Sequence, residues 1–250
     1  MGQNWTKEET IIAFNLYCKI PFKDCSGRHP LVRQYAEIIG RTPDAVNMKV
    51  GNIGRLDPEL KKQGITGLSH GARLEKEVWA EFYADPERFT FESELLLARY
   101  AHRPIEETIP HDNLPEGRER EVVVRQRVNQ AFFRTAVVEA YDATCCISGI
   151  RCPELVEACH IVDWSLDVKN RTNPMNGLCL NPLFHKSYDR NLVAVTPDYE
   201  IVVSDRLIDG ATEDDFRRYL MGLCGRKIIA PKRFLPSREL LEVHYSRFNR

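Results

Sequence analysis

Apolar residues recur at helical spacing through most of the first hundred positions, and capping chemistry marks where each run begins. Thr6 and Glu9 have capping-box spacing ahead of Ile11, Ile12, Phe14, Leu16 and Tyr17, which predicts a helix ending near Pro21. A second helix is predicted from Pro30, burying Val32, Tyr35, Ala36, Ile38 and Ile39 and stopping at Gly40. Thr42, Pro43 and Asp44 supply the N-cap and first turn of a third, which carries Ala45, Val46, Met48 and Val50. Two helices joined by Gly40-Arg41-Thr42 have the length of a helix-turn-helix, with Asp44, Asn47, Lys49 and Asn52 outward for contact with DNA. The same pattern fits a small bundle used for dimerisation or packing. After a glycine-containing loop at 64–71, helices near 74–83 and 86–100 complete the helical part.

Periodicity lapses over 103–117, where Pro104, Pro110 and Pro115 stand among acidic residues, and this reads as a linker. Residues 1–102 are therefore expected as a helical DNA- or partner-binding domain, and 118–250 as a second domain. The second opens on Arg118, Arg120, Arg125, Arg127 and Arg134, in a helix whose apolar members are Val128, Phe132, Phe133, Val137, Val138 and Tyr141. Those arginines suit a solvated face as well as phosphate contact. From Cys145 the pattern shortens to apolar runs at 145–148 and 155–162, a predicted β-hairpin with His160 near the end of its second strand. Asn173-Pro174-Met175-Asn176-Gly177 then turns into Leu178-Cys179-Leu180, and Pro182 starts a helix through His185, Tyr188 and Asp189. The order is ββα, within an α+β chain. A strand at 201–203 and helices at 212–220 and 237–248 should pack around this small unit.

Composition narrows the class. The chain has 250 residues, 43% hydrophobic and 28% charged, which suits two modest globular domains and excludes extensive disorder. No run of about 18 apolar residues occurs, and the first residues lack a basic stretch followed by an apolar core, so a soluble cytoplasmic protein without membrane contact is expected. A net charge of −1 gives no global attraction to a polyanion, so any nucleic-acid affinity must be local. Of eight cysteines, Cys145, Cys146, Cys152, Cys159 and Cys179 fall in one segment, as reduced thiols or metal ligands in preference to disulfides.

The same segment holds the candidate chemistry. Hydrolysis of a phosphodiester needs a base for water, positive charge near the phosphorus and stabilisation of the departing oxygen. The unperturbed imidazole pKa of about 6.5 suits His160 to the base role. His185 and Asp189 are four apart on the predicted helix, so they share a face and can grip one cation. Asn176 can hydrogen-bond backbone across the loop and hold the His160 strand against that helix.

Cys145-Cys146-Ile147-Ser148-Gly149, Ala158 through Trp164, Asn173 through Leu180 and Phe184 through Arg190 together resemble an HNH endonuclease domain over about 60 residues. The helix around Arg127 to Arg134 is similar to the segment that precedes this domain in bacterial restriction-type HNH proteins, and the N-terminal half looks like a domain attached to such nucleases. The resemblance implies a ββα-metal fold, with His160 as general base, Asn176 as the central asparagine, and His185 and Asp189 as metal ligands. It implies one divalent cation, Mg²⁺ or Mn²⁺ with Zn²⁺ or Ni²⁺ as alternatives, and cuts that leave 5′-phosphate and 3′-hydroxyl ends. Many HNH sites have an acidic or histidine ligand immediately before the base. Here Cys159 stands there, as an ordinary strand residue or a third ligand, and Asp163 either assists the metal or caps a turn. The cysteines lack the paired knuckles of a structural zinc, which is not expected. DNA is the expected partner, with Lys49 and Arg190 as candidate contacts and a homodimer in a restriction or defence setting. A gated or inactive DNA-binding module and an RNA-directed nuclease are the alternatives.

Overall fold

The computed structural model describes residues 4–65, 73–109 and 118–248. Most of the loop expected at 64–71 and residues 110–117 of the expected linker lie outside that set. The chain opens with helices α1 (Lys7–Lys19), α2 (Pro30–Ile38), α3 (Pro43–Gly54), α4 (Pro58–Lys62), α5 (Arg73–Ala84) and α6 (Pro86–Tyr100). Their starts follow from local chemistry. Thr6 and Glu9 close the capping box of α1, Thr42 caps α3, and Asp57 and Asp85 cap α4 and α6, each followed by proline. A 3-10 turn at Ile105–Thr108 precedes α7 (Arg118–Ala140).

The C-terminal part contains β1 (Glu157–His160), β2 (Gly177–Leu180), α8 (Pro182–Asp189), β3 (Val193–Val195), β4 (Ile201–Val203), α9 (Asp205–Asp209), α10 (Asp214–Leu223) and α11 (Arg238–Tyr245). The strands pair as two antiparallel ribbons, β1 with β2 and β3 with β4. The chain is thus α+β, with a helical N-terminal part ahead of the strand-bearing one. One strand expectation fails. Residues 145–148 form a turn beside a lone bridge between Thr144 and Arg151, and the hairpin partner of β1 is β2. Cys146 still binds the ribbon, donating its amide to the Cys179 carbonyl at 2.8 Å while its own carbonyl accepts from Ile229. An apolar run of four residues can serve as a strand or as a buried turn, and tertiary partners decided here.

Two expectations for α3 also change. Val46, Lys49, Val50 and Ile53 lie on its buried face, whereas Met48 is 57% exposed. Lys49 is 5% exposed, its ammonium 2.7 Å from Glu75 of α5 and 4.8 Å from the centre of the Trp5 ring. Its positive charge is already neutralised, so it is not an outward contact for phosphate. The i, i+3, i+4 spacing from Val46 placed it on the inner face.

Helix α7 sits between the two parts. It packs against α1 and α6 on one side and against β1 and β2 on the other, and one continuous apolar core runs through it. Arg233, fully buried ahead of α11, ties the C-terminal part to α1 by donating to the Tyr17 carbonyl and lying 4.7 Å from the Tyr17 ring centre. No described helix is long and apolar enough to cross a membrane.

The closest approach of α7 to the ribbon is at Gly177, where an added Cβ would lie 2.3 Å from Val137 Cγ2 and 3.1 Å from Phe133 Cζ. Overpacking of this kind costs about 1–3 kcal/mol. Gly177→Ala should therefore lower the thermal midpoint followed by circular dichroism by at least about 2 °C. An unchanged midpoint would mean that α7 does not bear on β2 as described.

Candidate catalytic site

His160 ends β1 opposite Gly177 of β2. Its imidazole lies flat on Phe133 of α7, with ring centres 3.8 Å apart and planes 10° apart, and meets the edge of Trp164 at 5.6 Å. Nε2 is 2.9 Å from the Arg171 carbonyl oxygen. A carbonyl only accepts, so Nε2 carries the proton and the neutral ring keeps its lone pair on Nδ1. Burial pushes the His160 pKa below its ordinary value, and the bond to the Arg171 carbonyl opposes that only partly. The ring is thus held as a neutral base of fixed tautomer.

The loop that carries the Arg171 carbonyl is held at the neighbouring Asn170 by Asn176, which is fully buried. Asn176 Oδ1 accepts from the Val162 amide at 2.9 Å, while Nδ2 donates to the carbonyls of Val162 at 3.0 Å and Asn170 at 3.2 Å. Its own carbonyl accepts from the Ile161 amide at 2.9 Å. One side chain therefore ties the two ends of the loop 161–176 together. Within the loop, Asn170 bonds Asp167 and Asn173, and Arg171 donates to the Trp164 carbonyl at 2.7 Å. Asp163 caps a turn, accepting from the Ser165 amide at 2.7 Å and hydroxyl at 2.5 Å, and these bonds hold its carboxyl below the usual range.

Helix α8 presents the other pair. Asn181 caps it by accepting from the Phe184 amide, and Asn191, at φ 51°, stops it after two turns. His185 and Asp189 share a face, with Nε2 3.7 Å from Asp189 Oδ2. His185 Nδ1 is 2.7 Å from Glu157 Oε2, a carboxylate that fixes Nδ1 as the protonated nitrogen and leaves Nε2 toward Asp189. Cys159 Sγ is 3.9 Å from Asp189 Oδ1. One donor atom each from Cys159, His185 and Asp189 lies within 4.8 Å of the other two, a cluster that can hold a metal ion. Burial raises the Cys159 thiol well above its ordinary pKa, so it is a neutral thiol as it stands.

His160, His185, Asp189 and Arg190 line one groove of about 640 Å³, shared with Trp164, Lys186, His244 and Arg247. Asn176 lies behind it in the loop support, and Lys49 is elsewhere, inside the helical part. Residues 145–196 match the family model for HNH endonucleases. This stretch is an HNH endonuclease domain. No curated protein matches the chain.

Two residues of the HNH domain's surroundings escaped the sequence reading. Glu157 sits two positions before Cys159, and the period-two alternation of a strand puts both on one side of β1. That signal was present, but its use required knowing that α8 packs there. His244 of α11 stacks on Tyr188 at 3.7 Å and 9°, with Nε2 3.2 Å from the Tyr188 carbonyl, and so backs the end of α8 that carries Asp189. Its distance in sequence gave no signal.

The stack on Phe133 accounts for the depressed His160 pKa and can be tested without any metal. In metal-free protein the His160 ring should titrate below 6.5 in a histidine-resolved NMR pH series. Phe133→Ala opens the ring to water and should move that midpoint upward. A wild-type midpoint above 6.5 would contradict burial as the dominant influence.

Proposed function

We propose that the HNH domain gives this chain a metal-dependent DNA endonuclease activity in which His160 is the general base. The observation that carries the reading is the hydrogen bond from His160 Nε2 to the Arg171 carbonyl, which leaves Nδ1 as the basic atom in the same groove as His185 and Asp189. Nδ1 takes a proton from the attacking water, the water oxygen bonds to phosphorus, and the bond to the 3′ oxygen breaks, that oxygen taking its proton from solvent water. The products are a 5′-phosphate and a 3′-hydroxyl. Arg190, exposed at the groove, would meet a phosphate of the bound strand.

The residues present fit a divalent cation, because one sulfur, one nitrogen and one oxygen donor converge. Asp189 and His185 would hold it, with Cys159 as third donor. A bound divalent cation supplies positive charge to the phosphate oxygens and to the departing oxygen. Glu157 orients His185 for that task. Nitrogen and oxygen donors suit Mn²⁺, and the thiol adds affinity for Zn²⁺ or Ni²⁺ over Mg²⁺.

One site of this kind cuts one strand, so two protomers or two successive nicks are needed for a double-strand break. We infer a homodimer acting in the cytoplasm in restriction or defence, with residues 1–102 as the part that contacts DNA or a partner and 103–117 as the connection. The helix pair α2–α3 supports that role less directly than its sequence does, since Lys49 is withdrawn from the surface.

Nicking of supercoiled plasmid should require a divalent metal and stop in chelator. His160→Ala, shown folded by circular dichroism, should lower the rate by about 10²–10⁴-fold. Equal rates in both proteins would remove His160 from the base role, and inactivity of the unaltered protein on modified and unmodified DNA and on RNA would favour a binding module. The metal cluster is tested separately by calorimetry with Mn²⁺. Glu157→Gln should weaken Mn²⁺ binding by about 10–100-fold, whereas unchanged affinity would separate Glu157 from the metal.

A further inference from the structure

A second cavity, of about 280 Å³, lies between α2 and α7 over a floor from α1 and α6, and shares no lining residue with the catalytic groove. Its floor is ionic. Lys19 Nζ is 2.5 Å from Glu94 Oε1, which also accepts from Asn15 Nδ2 at 2.7 Å. Asn15 Nδ2 donates to Ser93 as well, and Tyr35 donates its hydroxyl to Asn15 Oδ1 at 2.6 Å. The walls mix apolar side chains, Leu31 and Ile38 of α2, Leu97 of α6 and Val128 and Phe132 of α7, with the polar Gln34, Thr108 and Thr135.

A buried ion pair at the bottom of a cavity adds little net stability, because desolvating both ions offsets most of their attraction. Such an arrangement is better suited to fixing the orientation of a ligand, as a few polar groups in an apolar pocket do. Arg103 supplies the independent sign. It lines the cavity, and its Nε is buried with no hydrogen-bond partner. A buried donor left unpaired costs about 1–3 kcal/mol. The chain also adopts a strained turn to place it: His102 has φ 51°, and the Arg103 amide reaches back to the Ala98 carbonyl at 3.1 Å. Lys19 and Glu94 neutralise one another, so Arg103 alone sets the sign of the lining charge as positive.

We propose that this cavity binds a nucleotide-class ligand, with its heteroaromatic ring between the apolar side chains and its phosphate on Arg103. Adjoining donor and acceptor groups, Lys19 and Glu94, match the mixed donor and acceptor edge of a nucleobase. A guanidinium matches phosphate in a bidentate manner. The volume is just below the range of about 300–1,000 Å³ typical of ligand pockets, which limits the occupant to one nucleotide. The ligand is either a free mononucleotide or one nucleotide of a single strand. The turn of α7 that brings Phe132 to this cavity also brings Phe133 under His160.

The test is calorimetry on the full chain in chelator, which keeps metal out of the catalytic groove. The probes are AMP, GMP, CMP and UMP, single-stranded tetranucleotides of each base, and inorganic phosphate. At least one nucleotide probe should bind at millimolar concentration or below, and more tightly than phosphate. Arg103→Ala should weaken that binding at least tenfold. Ala131→Leu, which fills the cavity wall without touching the charges, should do the same and covers the case in which Arg103→Ala does not fold. Binding by mononucleotides identifies a free ligand, and binding by tetranucleotides alone identifies a strand. No nucleotide binding, binding no tighter than phosphate, or binding indifferent to the folded variants would overturn the proposal.

Discussion

The catalytic groove depends on α7, because the ribbon that carries His160 cannot stand alone. Two strands of four residues expose nearly all their backbone and bury little apolar surface, and an isolated hairpin of that size is marginal at best in water. Helix α7 is 23 residues long, far beyond what the ribbon needs for cover, and it packs on α1 and α6 as well. The helical part is therefore a foundation for the ribbon as well as a neighbour. Gly177 permits the close approach, and Phe133 converts it into a flat surface that fixes the imidazole plane.

Asn176 solves a second problem, which is how to hold a carbonyl of an irregular loop at hydrogen-bond distance from a histidine. A 16-residue excursion between paired strands has many conformations, and each ordered residue costs about 1–2 kcal/mol of backbone entropy. The asparagine amide both donates and accepts, so it satisfies the two backbone groups of Val162 and adds the Asn170 carbonyl. Aspartate lacks the donor and leucine lacks both. The Arg171 carbonyl is adjacent to Asn170, so the tautomer of His160 is set through the loop that Asn176 closes. The imidazole and its remote support are in this way one device.

Much of this was legible in the sequence, and what was not has a common cause. Helix starts were readable because their signals are local: Thr6 with Glu9, Thr42 with Pro43, and Pro182 in a first turn each act within four residues. His160, Asn176, His185 and Asp189 could be singled out as candidates because their order and spacing survive without coordinates. The missing parts are non-local. Residues 145–148 became a turn in which Cys145 bonds Gly149 and Ile150 while Cys179 and Ile229 take the backbone of Cys146, and Lys49 turned inward because Glu75 and Trp5 receive it. Glu157 acquired a role only when α8 settled beside β1.

Charge gives the last constraint. With a net charge of −1, the chain as a whole does not attract DNA, and even the groove mixes signs: Lys186, Arg190 and Arg247 stand beside Asp163 and Asp189. Long-range steering of a strand by such a surface is weak. The carboxylate of Asp189 is also repulsive toward phosphate until a cation neutralises it. The same residue that would hold a metal therefore opposes the substrate without one, so metal and strand binding must be favourably coupled. Reciprocity requires that a bound phosphate tighten the metal by the same factor.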